Sequence, residues 1–168
     1  MKILPSLAVL LAGVFIANAS VAEPLATPTG DVILTVSGNI SNTNDGDTAK
    51  FDRKMLEDIG MVKIATNTPW YDELKTFEGV PMKVIMDLVG AEGTTIDAVA
   101  LNDYETEVPM SDAQETGMIL ATKIDGQDLE VRDKGPIFLI YPFDSSPTFQ
   151  NQAYYARSAW QVTRLIVR

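Results

Sequence analysis

The strongest constraint on the fold of this chain is the division of its apolar residues into many short segments. Runs that are rich in β-branched residues, or that alternate in polarity, predict strands rather than long helices. The predicted strands cover residues 32–36, 62–66, 95–101, 120–124, 129–131, 137–141 and 160–168. Short helices are predicted over residues 51–59 and 81–90, and from a capping box at Ser111 and Gln114. Because strands and helices do not alternate as βαβ units, the sequence predicts one α+β domain.

The first residues have the layout of a secretory signal peptide. Lys2 supplies a positive start, a short apolar run follows, and small-residue triplets end at Ala19 and at Ala22. The apolar run is shorter than the roughly 20 residues that a membrane span needs, and no later segment is long and apolar enough. We therefore expect a periplasmic protein that has no membrane span after cleavage behind Ala19 or Ala22. Its expected parts are a signal peptide over residues 1–22, a loose leader over 23–30 and a domain over 31–168.

The charge of the chain and two missing residue types exclude several classes of function. The net charge of −10 repels nucleic-acid phosphates and anionic membrane surfaces, so neither is an expected partner. The chain has no cysteine and no histidine, which excludes thiol nucleophiles, imidazole bases and the usual zinc sites. No pair of carboxylates has a spacing typical of a hydrolytic acid and base. Without disulfides, the domain must be stabilised by packing alone.

Four segments from residue 77 onwards resemble a known family in content and in order. They are residues 77–93, 100–113, 121–142 and 154–167, and the last contains Arg157, Ser158 and Trp160 before a terminal strand. Together they resemble the molybdopterin-binding domain of the sulfite-oxidase type, and more closely the small stand-alone exported bacterial proteins that carry it. The resemblance implies a single α+β domain of mixed short strands with a few short helices.

The turn before the predicted strand 137–141 matches the family in shape but not in chemistry. The resemblance implies that a histidine and an arginine of this turn help to hold the cofactor. Lys134 stands in place of the histidine and Phe138 in place of the arginine, whereas Gly135 and Pro136 are kept, as the turn geometry requires. A phosphate-tailed pterin needs cationic or N–H donors to replace its lost hydration, so the missing arginine weakens the expected site.

The segment that carries the metal ligand in the family has also changed. The resemblance implies that catalytic members bind molybdenum through a cysteine thiolate, near the place where this chain has Thr66, Asn67 and Thr68. A hydroxyl or an amide is a poor replacement for a soft thiolate at such a metal. We therefore expect no metal site, no catalytic residue and no bound cofactor. Molybdopterin is the one cofactor that the resemblance would allow.

The resemblance brings a set of residues towards one candidate cleft. The expected cofactor-binding residues are Asn102, Asp103, Tyr104, Arg132, Lys134, Arg157, Ser158 and Trp160, and the expected pocket residues are Thr66, Asn67, Thr68, Trp70 and Phe138. The sequence leaves other roles open. Residues 102–104 can form an Asx turn, and the charges at 132–134 can be solvated ion pairs. Arg157 can stack on an aromatic ring or capture an anion, and Trp70 can be a core residue or a wall of the cleft.

Three hypotheses of function remain open at this point. The first is an exported, non-catalytic binding or accessory module that uses the old cofactor cleft for a small anionic or aromatic ligand, or for an envelope protein partner. The second is a molybdopterin-dependent oxidoreductase whose metal is held by an oxygen ligand or by the dithiolene alone. The third is a protein–protein interaction element of an envelope signalling system, with Trp70 and Phe138 filling the cleft. A metal in the purified protein would favour the second, and the absence of a pocket beside Arg157 would favour the third.

Overall fold

The computed structural model describes residues 24–168. The predicted signal peptide over residues 1–22 lies outside these residues. Between residues 24 and 168, no helix is both long and apolar enough to cross a membrane. The strands are β1 (Val32–Gly38), β2 (Ala49–Asp52), β3 (Val62–Thr68), β4 (Tyr71–Pro81), β5 (Thr95–Ala100), β6 (Glu105–Pro109), β7 (Ile119–Ile124), β8 (Gln127–Asp128), β9 (Phe138–Ile140) and β10 (Val162–Val167). The helices are α1 (Arg53–Ile59), α2 (Met82–Leu88), α3 (Met110–Glu115) and α4 (Gln152–Arg157), and short 3-10 turns cover Val131–Asp133, Phe143–Ser145 and Pro147–Phe149.

Five strands form a first sheet in the order β2-β1-β10-β5-β6. β1 and β10 run parallel, with Val36 opposite Leu165, and the other neighbours are antiparallel. Leu34 and Val36 of β1 are fully buried, whereas the residues between and beside them are partly exposed. Because successive side chains of a strand point to opposite faces, this alternation places one face of β1 against the core.

A second sheet has the order β3-β4-β7-β8, and β9 also pairs with β7. β9 pairs with the first half of β7, and β8 pairs with its end. The hairpin between β7 and β8 turns on Asp125 and Gly126, which have positive φ angles of 49° and 79°. Such angles are required at both central residues of a tight two-residue hairpin, so the predicted turn is confirmed. Mixed sheets with a few short helices confirm the α+β fold class.

β9 joins the two sheets because it is hydrogen-bonded along both edges. One edge pairs with β7. On the other, the Leu139 N–H donates to the Ala159 carbonyl over 2.9 Å, and the Val162 N–H donates to the Ile137 carbonyl over 3.0 Å. The segment that leads into β10 is thereby connected to the centre of the molecule.

Both faces of β9 are buried as well. Leu139 belongs to the main apolar core, which includes residues of both sheets and of α2. Phe138 and Ile140 belong to a smaller cluster around Phe77. All three β9 side chains are fully buried, so the buried strand predicted from five consecutive apolar residues is confirmed, although strand pairing covers only Phe138–Ile140.

The turn before β9 requires glycine at position 135. A Cβ atom at Gly135 would lie 2.1 Å from the Leu129 carbonyl oxygen, which no side chain tolerates. The peptide bond between Gly135 and Pro136 is cis, and Lys134 has a left-handed φ of 75°. This close approach of two backbone segments is the physical reason for glycine at this place.

The structure corrects two predicted helix starts. Phe51 lies in β2 rather than in the first helix, because Asp52 caps α1 and its Oδ1 accepts a hydrogen bond from the Met55 N–H. Ser111 lies inside α3, whose N-cap position is Pro109, so the predicted capping box does not form.

The structure also corrects the strand predictions. Residues 129–131 are not the second strand of the hairpin, because β8 ends at Asp128 and the chain enters a 3-10 turn at Val131. The sequence patterns miss β4 and β6. β4 begins with exposed polar residues that interrupt its alternation, and pairing with β3 on one side and β7 on the other stabilises it.

Candidate functional site

A cleft of about 370 Å³ lies between the end of β5, the turn that joins β3 to β4, and helix α4. We call it the aromatic cleft, and its lining residues are Trp70, Ala100, Asn102, Tyr104, Gln152, Tyr155, Ala156, Ser158, Ala159 and Trp160. Four of these side chains are aromatic and none carries a charge. Both tryptophans of the chain belong to the lining. Such a surface is suited to an apolar or flat group.

Trp70 connects the aromatic cleft to the core. Its ring packs on Phe138 and Phe143, with ring centres 5.1 and 6.1 Å away. It also meets Tyr155 at 6.2 Å and Trp160 at 6.1 Å, with interplanar angles of 80° and 71°. Edge-to-face pairs of this kind contribute about 0.5–1.5 kcal/mol each beyond their burial. Trp70 is therefore both a core residue and a wall of the cleft, whereas Phe138 lies fully buried and does not line it.

Lys134 contacts a cleft residue from outside the cleft. Its ammonium lies 5.4 Å from the centre of the Tyr71 ring and 5.5 Å from the centre of the Trp160 ring. Lys134 is not among the lining residues, so its charge rests against aromatic rings rather than in the cleft. The Lys134 carbonyl also accepts a hydrogen bond from the Gln161 N–H over 3.0 Å. Cation–π contacts at exposed sites contribute about 0.5–1 kcal/mol each, and these two help to hold Trp160 in place.

Arg157 is paired with a buried carboxylate. Its Nη1 donates to Oδ2 of Asp112 over 2.9 Å, and the Tyr141 hydroxyl donates to the same oxygen over 2.8 Å. The guanidinium also lies 5.3 Å from the centre of the Tyr154 ring. Burial raises the pKa of Tyr141 well above its ordinary value, and the hydrogen bond to Asp112 raises it further, so this phenol stays protonated. The aromatic contact of Arg157 is one of the two roles that the sequence left open, whereas its pairing with Asp112, 45 residues away, is not indicated by any local pattern.

The segment in place of the family's metal-ligand loop is held by a neighbouring turn. The Thr66 hydroxyl accepts a hydrogen bond from the Asp144 N–H over 3.0 Å. The Asn67 N–H and its side-chain amide both donate to the Asp144 carboxylate, over 2.8 and 2.9 Å. Thr68 differs, because its Oγ1 is buried and has no hydrogen-bond partner within residues 24–168. None of these three residues lines the aromatic cleft.

Two predicted polar residues do line the cleft. The Asn102 Oδ1 accepts a hydrogen bond from the Tyr104 N–H over 3.2 Å, which is the Asx turn considered above. The Ser158 hydroxyl donates to the Tyr154 carbonyl over 2.9 Å. Both side chains are thus oriented by a bond to the backbone and keep further hydrogen-bonding capacity towards the cleft.

Two predicted charged residues lie on the surface instead. Asp103 has a left-handed φ of 59°, and its exposed carboxylate pairs with Arg164 over 3.1 Å. Arg132 pairs with Glu130 over 2.9 Å while 77% of its side chain is exposed. Exposed pairs of this kind contribute about 0–1 kcal/mol, and neither lines the cleft.

The structure thus divides the predicted site residues into two sets. The aromatic cleft brings together Trp70, Asn102, Tyr104, Ser158 and Trp160. It leaves out Thr66, Asn67, Thr68, Asp103, Arg132, Lys134, Phe138 and Arg157. Sequence reasoning missed Gln152, Tyr155 and Ala156 of α4; a signal for Tyr155 existed, because it lies in the family-like segment 154–167.

The fold defines a class of protein. The structure is similar to that of the sulfane dehydrogenase SoxCD from Paracoccus pantotrophus, with a TM-score of 0.61 and 15% sequence identity. The similarity covers 85% of this chain and 39% of that chain, so this chain spans about two fifths of the SoxCD chain. At such an identity the likeness shows a shared fold, which is that of the sulfite-oxidase type.

The family follows from the sequence match. A model of the oxidoreductase molybdopterin binding domain matches residues 50–144, which is more than half of the chain. The chain belongs to this family, and the resemblance stated from its sequence segments is confirmed. A search of curated proteins gave no match.

The residues present do not fit the cofactor for which the family is named. The resemblance implies a thiolate ligand for molybdenum, and the chain has no cysteine. Among residues 24–168, no three histidine, cysteine, aspartate or glutamate side chains are placed to hold a metal ion. The lining of the cleft offers no cation to a pterin phosphate, because Arg157 is paired with Asp112 and Lys134 lies outside the lining.

Proposed function

We propose that this protein is an exported, non-catalytic binding module of the molybdopterin-binding-domain family that uses the aromatic cleft for a small ligand. The observation that carries the proposal is the lining of the cleft, which consists of four aromatic rings and no charged side chain. A lining of this kind binds through stacking and exclusion of water.

A binding role is favoured over redox chemistry by the fate of the family's anchors. Threonine stands near the place of the thiolate, Phe138 stands in place of the turn arginine, and Arg157 is paired with Asp112. The first two changes remove a thiolate and a cation that a metal-bearing, phosphate-tailed cofactor needs, and the third leaves the Arg157 cation bonded to a carboxylate. The fold still offers a concave site, which is the aromatic cleft.

The size of the cleft favours a small molecule over a protein partner. Small-molecule sites enclose about 300–1,000 Å³, and the aromatic cleft holds about 370 Å³. Tyr104 and Trp160 remain 51% and 41% exposed at its mouth, so a ligand can reach them from solvent.

The proposal is tested on protein expressed with its signal peptide in a bacterium that makes molybdopterin. After purification from the periplasm, molybdenum is measured by elemental analysis and co-purifying small molecules are measured by native mass spectrometry. We expect no stoichiometric molybdenum, and a small molecule of defined mass that is released on denaturation.

Two alanine variants make the test specific to the cleft. Trp160→Ala and Leu74→Ala each remove a partly exposed large side chain, with 41% and 58% exposure, but only Trp160 lines the cleft. We expect the first variant to lose the small molecule and the second to keep it. Stoichiometric molybdenum with a pterin would instead support the oxidoreductase hypothesis. A protein recovered in place of the small molecule would support the interaction-element hypothesis.

A further inference from the structure

Three rings of the aromatic cleft stand in different planes. Trp160 and Tyr155 are each nearly perpendicular to Trp70, at 71° and 80°, and their centres lie 6.1 and 6.2 Å from it. Within residues 24–168, Trp160 and Tyr155 make no ring contact with each other, and both face the cleft. A flat ring that stacks on Trp160 would lie at about 71° to the plane of Trp70, which is close to the edge-to-face arrangement that aromatic pairs prefer.

The charges around the cleft disfavour an anionic ligand. No lining side chain is cationic, so a carboxylate or phosphate that entered the cleft would lose hydration without a compensating partner. The guanidinium nearest in sequence, that of Arg157, is already bonded to Asp112 over 2.9 Å.

The charge of Lys134 disfavours a cationic ligand. The Lys134 ammonium already lies 5.5 Å from the centre of the Trp160 ring, and it approaches from outside the cleft. A second cation on the cleft side would share that ring with a like charge, which weakens the attraction of the ring for it. The net charge of −10 attracts cations over a distance, but salt screens exposed carboxylates beyond roughly 8–10 Å.

Two amide side chains add a polar edge to the cleft. Asn102 uses its Oδ1 to accept from the Tyr104 N–H, and within residues 24–168 its Nδ2 has no partner. The Gln152 side chain makes no hydrogen bond to any group in the same described range. Together they present donors and an acceptor to a bound group. A few polar groups of this kind orient a ligand in an otherwise apolar pocket.

We infer that the ligand of the aromatic cleft is an uncharged, flat heteroaromatic molecule, with its ring on Trp160 and its heteroatom or amide edge towards Asn102 and Gln152. The inference rests on the proposed function, because it names the ligand class of that cleft. It assigns Trp160 to stacking and Lys134 to the rejection of cations.

The test uses matched probes that differ in charge or in aromaticity. Nicotinamide is neutral, nicotinate carries a negative charge and 1-methylnicotinamide carries a positive charge, while cyclohexanecarboxamide keeps the amide without the aromatic ring. The readout is the pair of indole N–H signals in the NMR spectrum of ¹⁵N-labelled protein. Both signals come from the cleft, because the chain has two tryptophans and both line it.

Nicotinamide is expected to shift both signals in a saturable way. The two charged probes are expected to bind at least about tenfold more weakly, and cyclohexanecarboxamide is expected not to saturate. Lys134→Met should raise the affinity for 1-methylnicotinamide at least about tenfold and leave that for nicotinamide within about twofold. Gln152 is exposed on α4, so Gln152→Ala should leave the protein folded. It should weaken the binding of nicotinamide, which Lys134→Met and Leu74→Ala should not do.

Tighter binding of nicotinate or of 1-methylnicotinamide than of nicotinamide would overturn the inference. The absence of binding by all four probes at millimolar concentration would overturn it as well. If a small molecule still co-purifies with the native protein and is lost in Trp160→Ala, the proposed function stands and only the ligand class is wrong. If no probe binds and no small molecule co-purifies, both the inferred ligand class and the proposed function are wrong.

Discussion

Arg157, the last residue of α4, donates a hydrogen bond to Asp112 of α3 with 2.9 Å between Nη1 and Oδ2. Only 9% of the Asp112 side chain and 28% of the Arg157 side chain are exposed. The Tyr141 hydroxyl donates to the same carboxylate oxygen. This group anchors α4, and with it the Tyr155 and Ser158 walls of the aromatic cleft, to the core. The bond to Asp112 also keeps the Arg157 guanidinium away from the cleft, although the family resemblance assigned this residue to the cleft.

Removing the charge of Asp112 should destabilise the protein much more than removing that of Asp103. Asp112→Asn leaves a largely buried guanidinium unpaired, and we expect a loss of about 2–3 kcal/mol in the free energy of unfolding. Asp103→Asn breaks an exposed pair with Arg164, where 87% of the Asp103 side chain and 51% of the Arg164 side chain are exposed, and should cost less than about 1 kcal/mol. Asparagine also tolerates the left-handed backbone at position 103. Urea unfolding of both variants measures the difference, and equal losses would contradict the anchoring role of Asp112.

Two threonines of β3 should respond in opposite directions to the same substitution. Thr68→Val removes a buried hydroxyl that lacks a partner within residues 24–168, so it should raise the free energy of unfolding by about 1 kcal/mol. Thr66→Val removes the oxygen that accepts a hydrogen bond from the Asp144 N–H, so it should lower the free energy of unfolding by about 1 kcal/mol. Both variants gain the same strand preference of valine, so their difference reports the hydroxyls. A loss of stability in Thr68→Val would show that its hydroxyl has a bonding partner after all.

Alanine should be tolerated at one glycine and rejected at another. Gly135→Ala places a Cβ atom 2.1 Å from the Leu129 carbonyl oxygen, and we expect a loss of roughly 1–3 kcal/mol as the turn before β9 is forced apart. At Gly30 the nearest atom to an added Cβ is the Asp52 Oδ2 at 3.6 Å, an ordinary contact, so Gly30→Ala should change stability by less than about 1 kcal/mol. Thermal unfolding compares the two. A Gly135→Ala protein as stable as the native one would show that the turn can relax.

Asp52 should make the stability of the protein depend on pH in the acidic range. Its carboxylate accepts hydrogen bonds from the N–H groups of Met55, Gly30 and Thr29, each over 2.8 Å, and these bonds lower its pKa. In the unfolded chain the pKa of this carboxyl is about 3.9. The contribution of Asp52 is therefore complete above that pH and is lost as pH falls through the lower folded pKa.

Asp52→Asn provides the measurement. Native protein should be more stable than the variant at pH 6, and the difference should shrink as pH falls below about 4 because the native carboxyl becomes protonated. Urea unfolding at a series of pH values reports the difference. A difference that stays constant down to pH 2.5 would show that the charge of Asp52 is not what the three N–H groups stabilise.

Local patterns in the sequence were sufficient for several elements of the fold. The helix predicted over residues 81–90 is observed as Met82–Leu88, and the buried strand and the Asp125–Gly126 hairpin are also observed. These predictions succeeded because periodicity and turn residues act within a few positions of the chain. β4 was missed because its polar first half has no strand pattern of its own and is held by pairing with β3, while its second half pairs with β7, about 40 residues further along the chain.

What the sequence alone determined is the family and the chemistry that the chain lacks, because ordered segments and the absence of cysteine and histidine can be read without coordinates. Only the tertiary structure decided which site residues meet. Trp70 and Trp160 share one cleft, Lys134 rests against rings, and Arg157 is bonded to Asp112. The physical reason is that side-chain partners are set by strand register and packing between elements far apart in the chain, whereas residue type and spacing are properties of the chain itself.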